Sequence, residues 1–203
     1  TSYVEGFYYK PRVDIDELKK YSDGIIALSA CLAGDISQAL MDRNYEKAKN
    51  IALQYRDIFG EGNFYLEIQD HGLPEQKEVN AALVKLSKEI NIPLVATNDI
   101  HYVNKEDSKI HDVLMCIQMG KTVNDPNRMR FGSDEFYLKS REEMEELFPY
   151  APEAIDNTVK IAEMCNIEFD FNTIHLPKYD VPEGYTPDTY LRELCFKGLE
   201  ERY

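Results

Sequence analysis

The chain has 203 residues, of which 43% are hydrophobic and 11% aromatic, so it can bury one substantial core and is not a disordered chain. Its 37 acidic and 23 basic residues give a formal net charge of −14, and a field of that sign repels phosphate backbones. This excludes a nucleic-acid-binding module driven by charge, and any link to DNA is expected to come from other parts of a larger protein.

The cysteines and the chain ends suggest the setting of this segment. The cysteines are widely scattered and form no C-x-x-C pair, which favours reduced thiols in a cytoplasmic protein. No apolar run approaches the ~20 residues needed to cross a bilayer, so no membrane partner is expected. The first residues contain neither a signal peptide nor an initiator Met, and the last helix lacks a C-cap, so both ends are interpreted as cuts in a longer protein. The cysteines are Cys31, Cys116, Cys165 and Cys195.

Two strand-then-helix units are predicted first. The apolar run GIIALSACLAG (24–34) is interpreted as a strand, and the helix after it has Asn44 as its N-cap and Gly60 as its stop. The run NFYLEIQDH (63–71) alternates like a second strand, and Pro74 begins the helix that follows. The apolar face of that second helix consists of Val79, Leu83, Leu86 and Ile90.

A third unit completes the pattern. The run LVATNDIHYV (94–103) is the third strand, and a helix capped by Asn104 follows it. Three such units predict an α/β architecture with a mainly parallel sheet, either open or closed into a barrel.

The second half of the chain begins with a polar loop and the short strand FYLKS (136–140). Ser140 and Glu143 form a capping box that starts a helix, and a further helix is predicted over 152–165 with Ile155 and Val159 buried. The Pro-rich stretch after this helix is interpreted as a linker.

Polar side chains end the second and third strands, and the carboxyl ends of parallel strands are where functional groups collect. Side-chain alternation puts Asp99 and His101 on one face, with Cα atoms about 6 to 7 Å apart. It likewise puts Glu67 and His71 on one face of the second strand. The two strand ends are thus predicted to offer two imidazoles and a carboxylate. Such a set suits Zn, Mn or Fe, and clusters of these ions activate water against phosphate esters.

Other interpretations stay open for these residues. Asp-x-His at a strand end is also typical of a helix cap followed by a surface histidine. For Glu67, a charge paired inside the sheet is preferred to a further ligand. His111 and His175 are each interpreted as packed or surface histidines rather than ligands. Arg128 and Arg130 could hold a phosphate, although arginines in a polar loop are more often solvated or paired with Asp and Glu.

Seven blocks of the chain resemble, in order, the PHP (polymerase and histidinol phosphatase) domain of the bacterial replicative DNA polymerase III alpha subunits. The resemblance covers nearly the whole chain. Its blocks are GFYYKPR, ALSACLAG, FYLEIQDHG, LVATNDIHYV, HDVLMCIQMGKT, RFGSDEFYLKS and YLRELCFKGLEERY.

The resemblance implies a distorted (βα)7 barrel with a metal site of up to nine ligands at the strand ends. Family ligands carry over onto His71 in QDHG and onto Asp99 and His101 in NDIHY. The family's leading His-x-His would lie before Thr1, so the fragment is expected to be truncated on its N-terminal side and to bind Zn, Mn or Fe weakly or not at all. Residues 1–176 would be the C-terminal portion of the PHP domain, and 177–203 a linker and the first helix of the polymerase catalytic module.

The resemblance further implies that the parent protein is a DNA-directed DNA polymerase, a nucleotidyltransferase of DNA replication. Its Mg-binding aspartates and DNA-binding parts would lie outside this chain, and the fragment alone is expected to be inactive. The PHP module would contribute a metal-dependent phosphoesterase or 3′–5′ exonuclease site. Alternatively, it would be a scaffold that steadies the polymerase and docks a proofreading exonuclease subunit beside other replicase subunits. A free-standing PHP phosphatase is a further alternative, against which the polymerase-like last block argues.

Overall fold

Three parallel strands form the centre of the first of two units, Thr1–Cys165, in the order β1-β2-β3. The strands are β1 (Ala27–Leu28), β2 (Phe64–Ile68) and β3 (Leu94–Ala96) in a computed structural model that describes residues 1–174 and 176–203. Ala27 pairs with Phe64, and Leu66 pairs with Leu94. The prediction of an α/β chain with a parallel sheet is confirmed, and within the residues described the sheet has three strands.

Helices connect the strands, and further helices come after the last strand in the chain. Two helices lie between β1 and β2 in sequence, and one long helix joins β2 to β3, which gives the parallel crossovers that neighbouring strands require. The helices of the first unit are α1 (Ile15–Lys20), α2 (Asp35–Met41), α3 (Tyr45–Phe59), α4 (Pro74–Ile90), α5 (Ser108–Met119), α6 (Arg141–Leu147) and α7 (Pro152–Met164), with a 3-10 turn at Lys105–Asp107.

The core lies on one face of β2. Phe64, Leu66 and Ile68 alternate along the strand and are all buried, because alternate side chains point to the same face. They belong to one apolar cluster with buried residues of α2, α3, α4 and α7. The predicted face of α4 is part of that cluster, since all four of its residues, Val79, Leu83, Leu86 and Ile90, are buried.

The local signals for helix ends are confirmed. The side chain of Asn44 accepts a hydrogen bond from the Lys47 amide (3.1 Å) and caps α3, which ends where Gly60 has a φ of +88°. Pro74 occupies the first turn of α4. Ser140 and Glu143 exchange the two hydrogen bonds of a capping box at the start of α6.

Several sequence expectations need correction. The run 24–34 forms a strand only at β1; its second half is a turn, and α2, a helix that the sequence did not predict, begins after it at Asp35. The segment FYLKS forms a single parallel bridge between Tyr102 and Tyr137 instead of a strand. Val159 is half exposed, although it lies one turn after the buried Ile155 on the same side of α7. His175 lies outside the described residues.

The second unit, Asn166–Tyr203, contains one helix, α8 (Pro187–Arg202). Thr186 caps it, since its hydroxyl accepts a hydrogen bond from the Thr189 amide, and Pro187 is the first helical residue as predicted. None of the residues of α8 is buried within this unit. Among the described residues, no helix combines the length and apolar character that a bilayer crossing needs.

The first prediction concerns the buried Asn157, which ties α7 to the sheet. Its side-chain amide donates to the main-chain oxygen of Leu94 at the start of β3 (2.7 Å). Asn157→Ala leaves that buried carbonyl without its partner, so we expect the free energy of unfolding to fall by about 1 to 3 kcal/mol. Urea titration followed by circular dichroism measures it. Asn50→Ala, in an exposed mid-helix position of α3, is the matched control and should change stability by about 0.5 kcal/mol or less.

The second prediction concerns α8. Its apolar residues Leu191, Leu194 and Leu199 gain no buried partner within their own unit, so the helix has little tertiary packing to hold it. We expect opening free energies close to 0 for its amide protons, against about 5 kcal/mol or more for those of α4. Hydrogen exchange by mass spectrometry on a verified monomer measures both, and equal protection of α8 and α4 would contradict the expectation.

Candidate metal centre

The carboxyl ends of β1, β2 and β3 meet at one edge of the sheet because the strands are parallel and neighbours. A hydrogen-bonded network joins the three ends on the face opposite the core. The carboxylate of Glu67 accepts hydrogen bonds from the Ala30 amide (3.1 Å), from Gln69 Nε2 (2.9 Å) and from the Thr97 hydroxyl. The Glu67 amide in turn donates to the hydroxyl of Ser29 (2.8 Å). The partners of the Glu67 carboxylate are therefore neutral donors, and the expected ion pair inside the sheet is wrong.

The end of β3 departs from the predicted alternation. The strand stops at Ala96, and Asp99 has a φ of +43°, in the left-handed region that is rare for residues other than glycine. The chain turns there, so Asp99 and His101 are brought together by a turn rather than by extended alternation. The Nδ1 atom of His101 lies 4.0 Å from Oδ1 of Asp99, which keeps the two side chains of this candidate pair adjacent.

The imidazole of His101 is oriented by its own turn. Its Nδ1 hydrogen-bonds the main-chain oxygen of Asp99 (2.7 Å), and as the carbonyl can only accept, Nδ1 carries the proton. The Nε2 atom then keeps its lone pair. Orientation of one ring nitrogen by a backbone carbonyl is the usual arrangement of a metal-binding histidine. The Nε2 atom of His101 is therefore available to a divalent metal, whereas the Asp99 carboxylate approaches the other ring nitrogen, the protonated Nδ1.

His71 has a different environment from the one expected of a ligand. Only 1% of its surface is exposed, and both ring nitrogens have partners: Nε2 lies 2.9 Å from the main-chain oxygen of Asn98, and Nδ1 lies 2.8 Å from Nε2 of Gln76. Since the carbonyl accepts, Nε2–H is the donor and Nδ1 accepts from the Gln76 amide. The ring also stacks on Phe136 at a centroid separation of 4.0 Å. In this arrangement His71 has no lone pair free for a metal.

His111 of α5 reaches the same region from another element. Its ring centroid lies 5.5 Å from that of His101, 5.1 Å from that of Phe131 and 5.5 Å from that of Tyr102. The interpretation of His111 as a packed histidine agrees with these contacts. Together with Phe136, which meets both His71 and His101, these rings form an aromatic cluster beside the strand ends.

Metal-binding residue types are sparse at this edge. Within residues 1–174 and 176–203, no group of three or more His, Cys, Asp or Glu side chains is close enough to hold a metal ion. Cys31 follows β1 and lines a small space beside Glu67 and Gln69. In the sequence Cys31 is one of four scattered thiols, and its place inside the apolar run 24–34, three residues after the end of β1, is the only signal that sets it apart. At this edge Asp99 and His101 lie adjacent after β3, and Cys31 follows β1, which is on the other side of β2.

The pH dependence of stability tests the state of His71, whose burial lowers its pKa below the ordinary value. The folded protein then keeps His71 neutral while the unfolded chain binds a proton below about pH 6.5, so stability falls as the pH drops through that value. Relative to the variant His71→Gln, the wild type should lose up to about 1.4 kcal/mol more per pH unit between pH 6.5 and 5.5. Urea titrations at several pH values measure the two slopes. Identical slopes would show that His71 binds its proton in the folded state.

Comparison with known proteins extends these observations. Residues 1–71 match the family model of the PHP domain. DNA polymerase III subunit alpha of Treponema pallidum is 45% identical over 203 residues, the whole of this chain and 17% of that protein. The corresponding subunit of Borreliella burgdorferi is 48% identical over 204 residues, again the whole chain and 18% of that protein.

The same subunit of Thermus aquaticus is 45% identical over 208 residues, with the whole chain and 17% of that protein covered. The chain thus spans about a sixth of the length of the curated relatives it matches. Over its whole length the chain is homologous to a segment of bacterial DNA polymerase III alpha subunits, and its residues 1–71 match the PHP domain.

Proposed function

We propose that this chain is part of a replicative DNA polymerase III alpha subunit, so that its parent protein is a cytoplasmic DNA-directed DNA polymerase. The observation that carries the proposal is identity of 45 to 48% to three such subunits over the whole chain. Template-directed synthesis would use Mg ions held by aspartates outside this chain. The net charge of −14 agrees with a module that leaves contact with DNA to other parts of the protein.

The fold of the complete module is proposed to be the distorted (βα)7 barrel of PHP domains. Support comes from the strand order, because three parallel strands that are neighbours both in sequence and in space form one arc of a βα barrel. The bridge between Tyr102 and Tyr137 adds a fourth parallel segment beside β3, in the direction in which a barrel would continue. Residues 1–176 would belong to the PHP domain, and 177–203 would be the linker and the first helix of the polymerase module.

We propose that this chain contributes some of the ligands of a metal-dependent phosphoesterase or 3′–5′ exonuclease site. Asp99 and His101 would be the ligands from β3, and Cys31 is a candidate from β1. His71, proposed from the sequence as a third ligand, is better suited to holding the Asn98 carbonyl, and thereby the turn that carries Asp99. A bound Zn, Mn or Fe would polarise a phosphate oxygen and activate water. The residues of this chain would orient that ion.

A scaffold is the second candidate for this piece. It is favoured by one observation, that within the described residues no three potential ligands come together. In that case the module would steady the polymerase and dock a proofreading exonuclease subunit beside other replicase subunits. The two candidates differ in whether metal is needed, so metal content separates them.

The third prediction concerns metal binding by this chain and by the longer protein encoded at the same locus. Two or three ligands hold an ion more weakly than a full set, so the chain alone should bind Zn or Mn weakly and hydrolyse no DNA ends. In the longer protein, His101→Ala should lower metal affinity about 10-fold or more and reduce 3′-end hydrolysis, with polymerase activity retained. Calorimetric titration and a labelled-primer assay measure these properties.

His111→Gln is the matched control, because it changes another histidine of the same aromatic cluster and should leave metal affinity within about twofold. If the chain alone bound metal stoichiometrically and hydrolysed DNA ends, the proposal that residues outside the chain complete the site would be refuted. A longer protein that polymerises DNA but holds no metal at this edge would establish the scaffold. Absence of polymerase activity from the longer protein would refute the proposed parent function.

A further inference from the structure

A cavity of about 290 Å³ lies beside the aromatic cluster and is lined by its rings Tyr102, His111 and Phe131. The start of α5 and the loop before Phe136 form its walls. Its volume is at the lower end of the range for small-molecule sites, so it has room for one small ligand. The side chains used below are Tyr102, Lys109, His111, Arg128, Arg130 and Phe131, all of which line it.

The charge of this cavity differs from that of the chain as a whole. The side chain of Arg128 is buried and forms a bidentate ion pair with Asp112, so these two charges neutralise each other. Asp134 lies 3.7 Å from Lys105 and is likewise partnered. Lys109 and Arg130 remain: neither forms an ion pair within residues 1–174 and 176–203, and the one contact of Arg130 is a long one of 3.5 Å to the main-chain oxygen of Asp125. Two unneutralised cations therefore face one cavity in a protein of net charge −14.

The remaining wall is aromatic. Phe131, His111 and Tyr102 line the cavity, and aromatic faces stack on sugars and bases without sequence preference. The hydroxyl of Tyr102 is enclosed and has no hydrogen-bond partner in the described part of the chain. This hydroxyl has almost no accessible surface, so a ligand in the cavity would not reach it.

We propose that this cavity is a binding site for a mononucleotide, with its phosphate on Arg130 and Lys109 and its ring system against the aromatic wall. Guanidinium groups hold phosphate by paired hydrogen bonds, and the ion pair with Asp112 fixes Arg128 as the floor of the site rather than as a ligand. The volume admits one nucleotide and excludes an extended strand. This binding needs no metal, so the proposal stands apart from the proposed metal chemistry.

The test titrates the protein with thymidine 5′-monophosphate in the presence of EDTA and follows amide shifts by NMR. We expect shifts at Arg130, Phe131 and Lys109, and weakening of binding by about tenfold or more in Arg130→Gln or Lys109→Gln. Arg43→Gln and Lys77→Gln change exposed cations outside the cavity and should leave the affinity unchanged. Circular dichroism confirms that each variant is folded.

Inorganic phosphate and thymidine serve as partial ligands, and each should bind at least about tenfold more weakly than the nucleotide. Phosphate binding equal to that of the nucleotide would overturn the role of the aromatic wall. Equal binding of thymidine would overturn the role of the two cations. Absence of nucleotide-induced shifts at the cavity, or equal weakening by the two control variants, would overturn the proposal as a whole.

Discussion

Parallel pairing on both sides of β2 is the constraint on which the candidate centre depends. Because β1 and β3 run in the same direction as β2, the residues after all three strands emerge at one edge. The side chain of Glu67 reinforces this pairing, since it binds donors from the end of β1 and from Thr97 after β3. A carboxylate in that position costs free energy on burial, and the three hydrogen bonds it accepts offset the cost. The hydrogen bonds of Glu67 thus order the polar face of the sheet without any bound ligand.

His71 connects the end of β2 to the turn after β3 through hydrogen bonds. Its ring is held between the Gln76 amide and the Asn98 carbonyl, and the side chain of Asn98 donates to main-chain oxygens of Glu135 and Tyr137. The strand end, the turn at Asp99 and the loop before α6 are therefore joined through one buried imidazole. A histidine used in this way must stay neutral, because a protonated ring would lose its acceptor for Gln76. Position at a strand end identifies such a residue, but whether it binds metal depends on its hydrogen bonds.

Local sequence patterns correctly predicted the features that depend on neighbouring residues. The caps at Asn44 and Ser140 and the apolar face of α4 follow from hydrogen bonds and periodicity within one turn of helix, and the structure has them. The strand ends were harder, because the chain leaves the sheet at Ala96 through a left-handed residue, Asp99, that no periodicity reveals. The roles of His71 and Glu67 were missed for a related reason, since their partners Gln76 and Thr97 are brought close only by packing.

The chain as a whole is acidic, but two cations without ion pairs line the proposed nucleotide cavity. These two features act on different ligands. A surface of net negative charge repels a long polyanion at a distance, and salt screens this repulsion within about 10 Å. Inside the cavity the carboxylates of Asp112 and Asp134 are paired with Arg128 and Lys105, so a nucleotide phosphate there would meet Lys109 and Arg130 as the cations without an ion pair among the described residues. The proposed site would thus discriminate by size, disfavouring duplex DNA and admitting a single mononucleotide. The ring centroids of His101, His111 and Phe131 lie 5.5 Å or less from one another, so the proposed nucleotide site and the candidate metal residue His101 border the same aromatic cluster.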